Sequence, residues 1–473
     1  MRRARRARRW GCCRCAAAAR YRTRSCRRLS DVVARCGADA VAPRRLAAGQ
    51  PTTGIHHVRE GEKSVAAVAV AQAHEAAARG PLAGLRVLDL TWHIAGPYCT
   101  KLLADYGADV IKIERPGTGD PARHTPPFYH DRPDPEGSLL FLYLNTNKRS
   151  VTLNLKHEAG RRIFLELARR TDVVVESFRP GVMERLGIGW EVLSALNPRL
   201  ILTSISNFGQ TGPYRDLPAS ELVEYAMSGI MAISGRQDRE PLKHGLSQGQ
   251  YSAGATAAYI TAALTYAQAL GQPGQWIDVS IHESLAAELV MNEPYYAWMG
   301  AIQGRRPPSG DGLNNIMACK DGYVVLQMGG SAKWSDIADL LGVPELHDEK
   351  FATPDGRTRY AEELDRLLEA GLRARTKHEL FDEAARRRIL FGIAQDPADL
   401  LNCPQLRARG YWVQVDHPTT GPLPYPGEPV KMSATPWQLR RPAPLLGQHT
   451  AEVLAELGID KEECERLRAE GVI

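Results

Sequence analysis

The loop His93–Pro97, HIAGP, follows a short apolar run and precedes a helical one, so its backbone N–H groups stand where an anion or a carbonyl oxygen binds at a helix start. Few other residues declare a chemistry by spacing alone. His244 and His282 have no partner in the pattern and read as structural histidines before they read as bases. Cys99, Cys319, Cys403 and Cys464 lie far apart, and no cysteine has zinc spacing with a matching second pair, so no metal is expected. There is no GxxxxGK[ST] phosphate loop, no HExxH and no GxSxG elbow. Common nucleotide hydrolases, zinc proteases and serine hydrolases are thereby disfavoured.

The elements that would position that loop begin at Leu85. RVLDL (Arg86–Leu90) reads as a buried strand, GPYCTKLLADYG (Gly96–Gly107) as a helix with a glycine stop, and DVIKIE (Asp109–Glu114) as a second strand. The alternation continues through SVTLNL (Ser150–Leu155), a helix around His157–Arg170, DVVVESF (Asp172–Phe178), a helix near Val182–Leu196 and RLILTSIS (Arg199–Ser206). Two Ala- and Gly-rich helices follow, SELVEYAMSGIMAIS and YSAGATAAYITAALTYAQAL, then the strand QWIDVSI (Gln275–Ile281). Strands alternating with helices predict an α/β fold around a doubly wound, mostly parallel sheet. A Gly/Pro-rich connection near Gly304–Asn315 separates this part from a strand, DGYVVLQM (Asp321–Met328), and amphipathic helices up to about Arg409. The stretch HPTTGPLPYPGEPVKMSATP reads as loop, and two short helices close the chain. The expected division is a leader over 1–80, a large domain over 81–295, a linker and small domain over 296–409, and a segment over 410–473 returning to the large domain.

The 473 residues carry a net charge of +6, but unevenly. Residues 1–60 hold 16 Arg and no Lys against 3 acids, an excess of 13, which leaves −7 for the rest. A slightly acidic body argues against a nucleic-acid partner, since phosphate binding needs a concentrated basic surface. The Arg-rich leader has three readings: translated sequence upstream of the true start, a mitochondrial presequence, or an RNA-binding arm. It lacks the apolar stretch of a secretory signal. The leader is expected to be unfolded, and a chain starting near Val70 to fold as a soluble dimer. No apolar run is long enough to span a membrane, and scattered single cysteines suit a reducing compartment, so the expected location is the cytoplasm.

Several long stretches in one order resemble the class III CoA-transferases, which include formyl-CoA and carnitine-CoA transferases and alpha-methylacyl-CoA racemase. They are PLAGLRVLDLTWHIAGPYCTKLLADYGADVIKIERPGTGD, LNTNKRSVTLNLK, VVVESFRPGVMERLGIGWEVLSALNPRLILTSISNFGQTGPY, YAMSGIMAISG, GQWIDVSIHESL, KDGYVVLQ and PAPLLGQHTAEVLAELG. The resemblance implies a large doubly wound domain built from both chain ends, a smaller middle domain, and two chains threaded through each other as an interlocked homodimer. It implies coenzyme A thioesters and a small carboxylic acid as the molecules handled.

By the same resemblance, Arg115, Lys156 and Arg185 meet the phosphate-bearing end of CoA and Phe178 lines that cleft, while Ile94 and Ala95 of the HIAGP loop are the expected CoA-binding residues of its anion or carbonyl site. These residue types suit a phosphate ligand, since Arg offers it a planar fork and Lys a point charge. One position departs from the family pattern. The nucleophilic Asp of a G-D-x-x-x-G segment corresponds to Gln250 in GQYSAG, and an amide is a poor nucleophile. Glu221 in ASELVEYAMSG, with Glu224 as its helical neighbour, is the matched acid that can take over. The alternatives are direct attack by the acceptor acid with Gln250 polarising the carbonyl, or binding of CoA esters without turnover. A racemase reading is disfavoured because Ser220 stands where those enzymes carry a His.

Overall fold

A computed structural model describes residues 80–305, 315–329 and 331–473, all within the unit running from Ala66 to Ile473. The Arg-rich leader and most of the Gly304–Asn315 loop lie outside the described residues.

Six strands form one parallel sheet: β1 (Arg86–Leu90), β2 (Asp109–Glu114), β3 (Lys148–Thr152), β4 (Val173–Glu176), β5 (Ile201–Ser206) and β6 (Trp276–Ser280), in the order β3-β2-β1-β4-β5-β6. Helices cover both faces, so most strand residues are buried on both sides, which explains their nearly unbroken apolar text. On one face Leu88, Ile111 and Val151 pack under Ile163 and Phe164 of a helix, together with Val453, Leu454 and Leu467 from the far end of the chain. On the other, Val87, Val110 and Val173 pack under Cys99, Leu103, Ala253 and Ala257. The helices that matter below are α1 (Ala95–Asp105), α2 (Glu158–Arg169), α3 (Glu221–Met227), α4 (Gln248–Ala269) and α5 (Ile281–Ala286). The small residues of α4 serve a close approach: a Cβ on Gly254 would stand 2.5 Å from the carbonyl oxygen of Ala95.

A second, antiparallel sheet of β7 (Ile316–Ala318), β8 (Tyr323–Gln327) and β9 (Leu390–Ile393) has its own core around Val324, Leu326, Ile337, Leu364 and Leu380. The expected fold class, a doubly wound parallel sheet with a smaller middle unit, is the observed one.

Three local expectations are corrected. The third strand begins and ends earlier than SVTLNL, because Asn154 turns the chain by accepting the Lys156 N–H on its side chain at 3.1 Å. The helix placed over Val182–Leu196 is two short ones, Val182–Arg185 and Trp190–Leu196, broken where Gly187 takes φ 72°. The Pro-rich stretch read as loop contributes to a hairpin of β10 (Trp412–His417) and β11 (Gly421–Pro426). Pro422, Pro424 and Pro426 alternate, so every missing N–H falls on the side of β11 away from its partner.

Inside the sheet lies a cluster of buried charges. Asp89 of β1 accepts Lys148 Nζ at 3.0 Å and the Thr100 hydroxyl at 2.7 Å on one oxygen, and the Thr91 N–H at 2.9 Å on the other. Lys112 of β2 donates to the Thr91 carbonyl at 2.8 Å and pairs with Asp120 at 2.9 Å, while Asp120 accepts the His93 N–H at 3.1 Å. Burial alone would raise the Asp89 carboxyl, but the charges of Lys112 and Lys148 and the two threonine bonds outweigh it and pull the group down to about 2. Its contribution to stability is therefore complete above about pH 4 and is lost as pH falls towards 2. Asp89→Ala would leave two buried lysines short of counter-charge and is expected to cost about 3–5 kcal/mol in urea unfolding at neutral pH. A loss under about 1 kcal/mol would mean the lysines find water or other partners.

Candidate active site

The strand order reverses between β1 and β4: from β1 the chain winds outward to β2 and β3, and from β4 to β5 and β6. In such sheets the crevice beyond the carboxyl ends of the strands at the reversal is the place for a ligand. Here the loops after β1 and β4 are tied together, the Trp92 N–H donating to the Ser177 hydroxyl at 3.0 Å. The rings of Trp92 and Phe178 meet edge to face with centroids 5.3 Å apart, and the Arg115 guanidinium, just past β2, lies 3.9 Å from the centre of the Trp92 ring. Arg115 and Phe178 are thus brought together, with Trp92 as the unpredicted link. Its place between them had no signal in the sequence.

Ile94 and Ala95 open α1 beside them. Ile94 is the N-cap and has no side-chain cap bond, so the Ala95 and Gly96 N–H groups at the start of α1 receive nothing from that side chain. Gly96 is needed there, since a Cβ would fall 2.2 Å from Cβ of Thr91. Glu176, buried at the end of β4, accepts the Phe178 N–H at 2.7 Å, and burial pushes its carboxyl up to about 7 against the pull of Ser204 and that N–H. Lys156 is exposed on the turn between β3 and α2. Arg185 is exposed as well, and together with Arg215 it flanks Gly181: a Cβ there would stand 3.2 Å from Arg185 Nη1 and 3.6 Å from Arg215 Nη2. No hydrogen bond or ring contact among the described residues joins Lys156 or Arg185 to the Trp92 group. Arg215 had no signal in the sequence.

Glu221 and Gln250 do meet, in a second group beyond β5 and β6. The Glu221 carboxylate sits on the N-terminus of the 22-residue helix α4, one oxygen accepting the Gly249 N–H at 2.9 Å and the other the Gln250 N–H at 3.1 Å. Gly249 permits the approach, for a Cβ would come within 3.2 Å of that carboxylate and 2.8 Å of the Leu285 side chain. One turn on, Glu224 is fully buried and accepts the Gln250 side-chain amide at 3.0 Å. Asn207, in the amide orientation that satisfies both neighbours, donates to the other Glu224 oxygen at 3.0 Å and accepts the Ala219 N–H at 3.2 Å. Burial pushes the Glu224 carboxyl up to about 7, the Glu221 charge adds to the rise, and the Gln250 amide opposes it. Two adjacent carboxyls therefore have different surroundings: Glu221 on backbone donors and partly exposed, Glu224 dry. His244 lies near, its Nδ1 3.2 Å from the Tyr225 hydroxyl, whereas His282 meets the Met227 carbonyl at 3.2 Å in a structural contact.

A CoA-transferase family III profile matches residues 82–450. The chain is 36% identical to the succinyl-CoA:(R)-benzylsuccinate CoA-transferase subunit BbsE of Thauera aromatica, with 82% of this chain and 97% of that one covered. It is 36% identical to a formyl-CoA:oxalate CoA-transferase of Streptomyces avermitilis over 83% of this chain and 99% of the relative. A crystal structure of a CAIB/BAIF family protein from Brucella suis superposes with a TM-score of 0.73 at 31% identity, covering 80% of this chain and all of the other. The chain belongs to CoA-transferase family III, whose enzymes move CoA from an acyl-CoA thioester to a carboxylic acid.

The Glu224 environment has a measurable consequence. A folded state that keeps this proton up to about pH 7, while the unfolded chain releases it near pH 4.3, loses stability as pH rises between those values. Glu224→Gln removes that part of the slope, so between pH 5 and 7.5 the melting temperature of the variant should fall by less than that of the wild type. Parallel melting curves would mean that Glu224 is ionised throughout.

Proposed function

We propose that this chain carries out CoA transfer with Glu221 as the nucleophile and with CoA held beyond the strand ends by Arg115, Lys156 and Arg185. The observation that supports it is the seating of the Glu221 carboxylate on the Gly249 and Gln250 N–H groups, at the helix start where the family pattern puts an Asp on residue 250. In this reading a Glu from a neighbouring helix takes over the role of the carboxylate that residue 250 lacks.

The steps follow from that placement. A Glu221 oxygen adds to the thioester carbonyl carbon, the C–S bond breaks, and CoA leaves as thiolate while a mixed anhydride forms. The thiolate then attacks the Glu221 carboxyl carbon, releasing the donor acid and making an enzyme thioester. The acceptor carboxylate repeats the two exchanges in reverse order, and Glu221 is restored. No electrons or net protons are consumed. The N–H groups of α4 hold the attacking carboxylate in place, while Gln250, its amide given to Glu224, fixes the segment between them.

Succinyl-CoA is the first donor to try, because it is named for the Thauera relative. The interlocked homodimer is part of the same proposal. A single chain leaves Val290, Trp298, Met299 and Ile302 between 70 and 83% exposed, an apolar surface that a second copy would cover. A cytoplasmic location fits the unpaired Cys99, Cys319, Cys403 and Cys464, and no helix of the described residues is long and apolar enough to cross a membrane. Two observations favour a second reading, in which the chain binds CoA esters and leaves turnover to a partner: residue 250 has no carboxylate, and the Thauera relative is itself a subunit.

Two measurements separate these. Calorimetry should find CoA affinity weakened by about 1.5–3 kcal/mol in each of Arg115→Ala, Lys156→Ala and Arg185→Ala. Unchanged affinity in all three would mean CoA binds elsewhere. With succinyl-CoA and a pool of carboxylic acids, the wild type should show ping-pong exchange, and hydroxylamine or borohydride should trap an adduct on Glu221 that Glu221→Gln abolishes. An adduct on another residue, or activity untouched by Glu221→Gln, would rule out this nucleophile. Exchange absent altogether, with CoA still bound, would favour the second reading.

A further inference from the structure

Near the Glu221 carboxylate lies a cleft of about 620 Å³ whose walls come from α1, α3, α4, the segment before α4 and Glu288 just past α5. Tyr98, Tyr225 and Tyr251 supply most of its aromatic wall, Ala255 lies one turn beyond Tyr251 on α4, and His244 adjoins Tyr225. Glu221 does not itself line the cleft, but Tyr225, which does, lies near it. The place of a Cβ on Gly249 is 3.2 Å from both a Glu221 oxygen and the edge of the Tyr225 ring.

The walls are fixed rather than loose. Tyr98 and Tyr251 meet edge to face with centroids 4.9 Å apart and planes at 88°. Tyr225 is buried, its ring 5.7 Å from the His244 ring and its hydroxyl bonded to it. Burial raises all three tyrosine hydroxyls above the ordinary phenol range, first among the causes in each case, so the wall presents neutral rings and O–H donors. The carboxylate lining the cleft is Glu288, and Ser252 occupies one of its oxygens at 2.6 Å. The Lys243 ammonium lies over the Tyr225 ring at 5.4 Å and bonds to the His244 carbonyl at 2.6 Å.

Resting on Glu221 as the transfer site, we infer that this cleft receives the body of the acceptor acid, and that the acceptor is an aryl-substituted carboxylic acid. The cleft is open to solvent, and its volume of about 620 Å³ is still far more than a short-chain acid fills. Ring edges and faces favour an aromatic body in offset or edge-to-face contact, a preference worth about 0.5–1.5 kcal/mol per ring pair beyond the area buried. The acceptor's carboxylate points to Glu221, its ring lies among the three tyrosines, and a hydroxyl or second carboxylate would find His244 and the Tyr225 hydroxyl.

The probes are 3-phenylpropanoate and acetate, applied to the full chain. Saturation-transfer NMR should show 3-phenylpropanoate binding at least tenfold more tightly than acetate. Ala255→Phe, which fills the cleft, should weaken that binding at least tenfold and raise the KM for 3-phenylpropanoate in transfer from succinyl-CoA. CoA affinity and circular dichroism serve as fold controls. Should Ala255→Phe not fold, Tyr251→Ala decides, since loss of its ring should weaken 3-phenylpropanoate binding severalfold. Equal binding of the two acids, or binding indifferent to the folded variant, overturns the inference. If no acid accepts CoA while 3-phenylpropanoate still binds in the cleft, the transfer route through Glu221 fails and the subsite stands.

Discussion

The sheet depends on a charge balance in a place without water. Asp89, Lys112, Lys148 and Asp120 are fully buried between the first three strands, and they offset one another in number. Any one of them alone would be a heavy burden on the fold, since an unpaired ion in the interior costs several kcal/mol. Together they do something apolar residues of the same volume could not. Through the Thr91 N–H and carbonyl and the His93 N–H they fix the backbone of the loop that leaves β1. Trp92 sits in the middle of that loop, and Arg115 and Phe178 are arranged around Trp92. The polar interior is thus coupled to the rim where the strands end.

A second constraint governs the other group. α4 begins without a side-chain cap from its own N-cap residue, Ser247, and the donors at its start are satisfied instead by Glu221 from another helix. The helix dipole and the two N–H groups favour a negative charge at that point. A carboxylate is therefore retained at this helix start although the side chain of residue 250 is an amide. Glu224, a turn away and without such donors, is driven towards its neutral form. The same residue type thus meets different surroundings at two positions one turn apart.

The strands and the two-layer cover were legible because continuous apolar runs alternating with helical ones leave few other arrangements, and the bounds of β1 and β2 coincide with the runs RVLDL and DVIKIE. The break in the helix over Val182–Leu196 was hidden because apolar spacing persists through Gly187, whose positive φ interrupts the backbone and not the pattern. The hairpin at Gly421–Pro426 was equally hidden, because three prolines look like loop until their alternation is set against the hydrogen-bonding side of a strand. At the site, the pairing of Glu221 with the residue 250 segment was within reach of motif reading, but the manner of it was not. That the carboxylate binds the backbone of α4, and that the Gln250 amide turns away to Glu224, depends on packing around Gly249 and Leu285. Trp92, Asn207 and Arg215 were out of reach for the same reason, since each acquires its place from segments distant in the chain.

The core beneath one face of the sheet is closed by Val453, Leu454 and Leu467, more than 300 residues after the strands Arg86–Leu90 and Asp109–Glu114 that they cover. Contacts of such long sequence separation form late, because the loop they close must first be ordered. On a ribosome Ile163 and Phe164 follow the early strands closely, but the part of that face covered by Val453, Leu454 and Leu467 would stay open until nearly the whole chain had been made. During that interval the core around Leu88, Ile111 and Val151 is incomplete, and transiently exposed apolar surface of this kind favours aggregation. The same wiring that joins distant parts of the chain into one domain thus sets the period of its greatest vulnerability before it is ever folded.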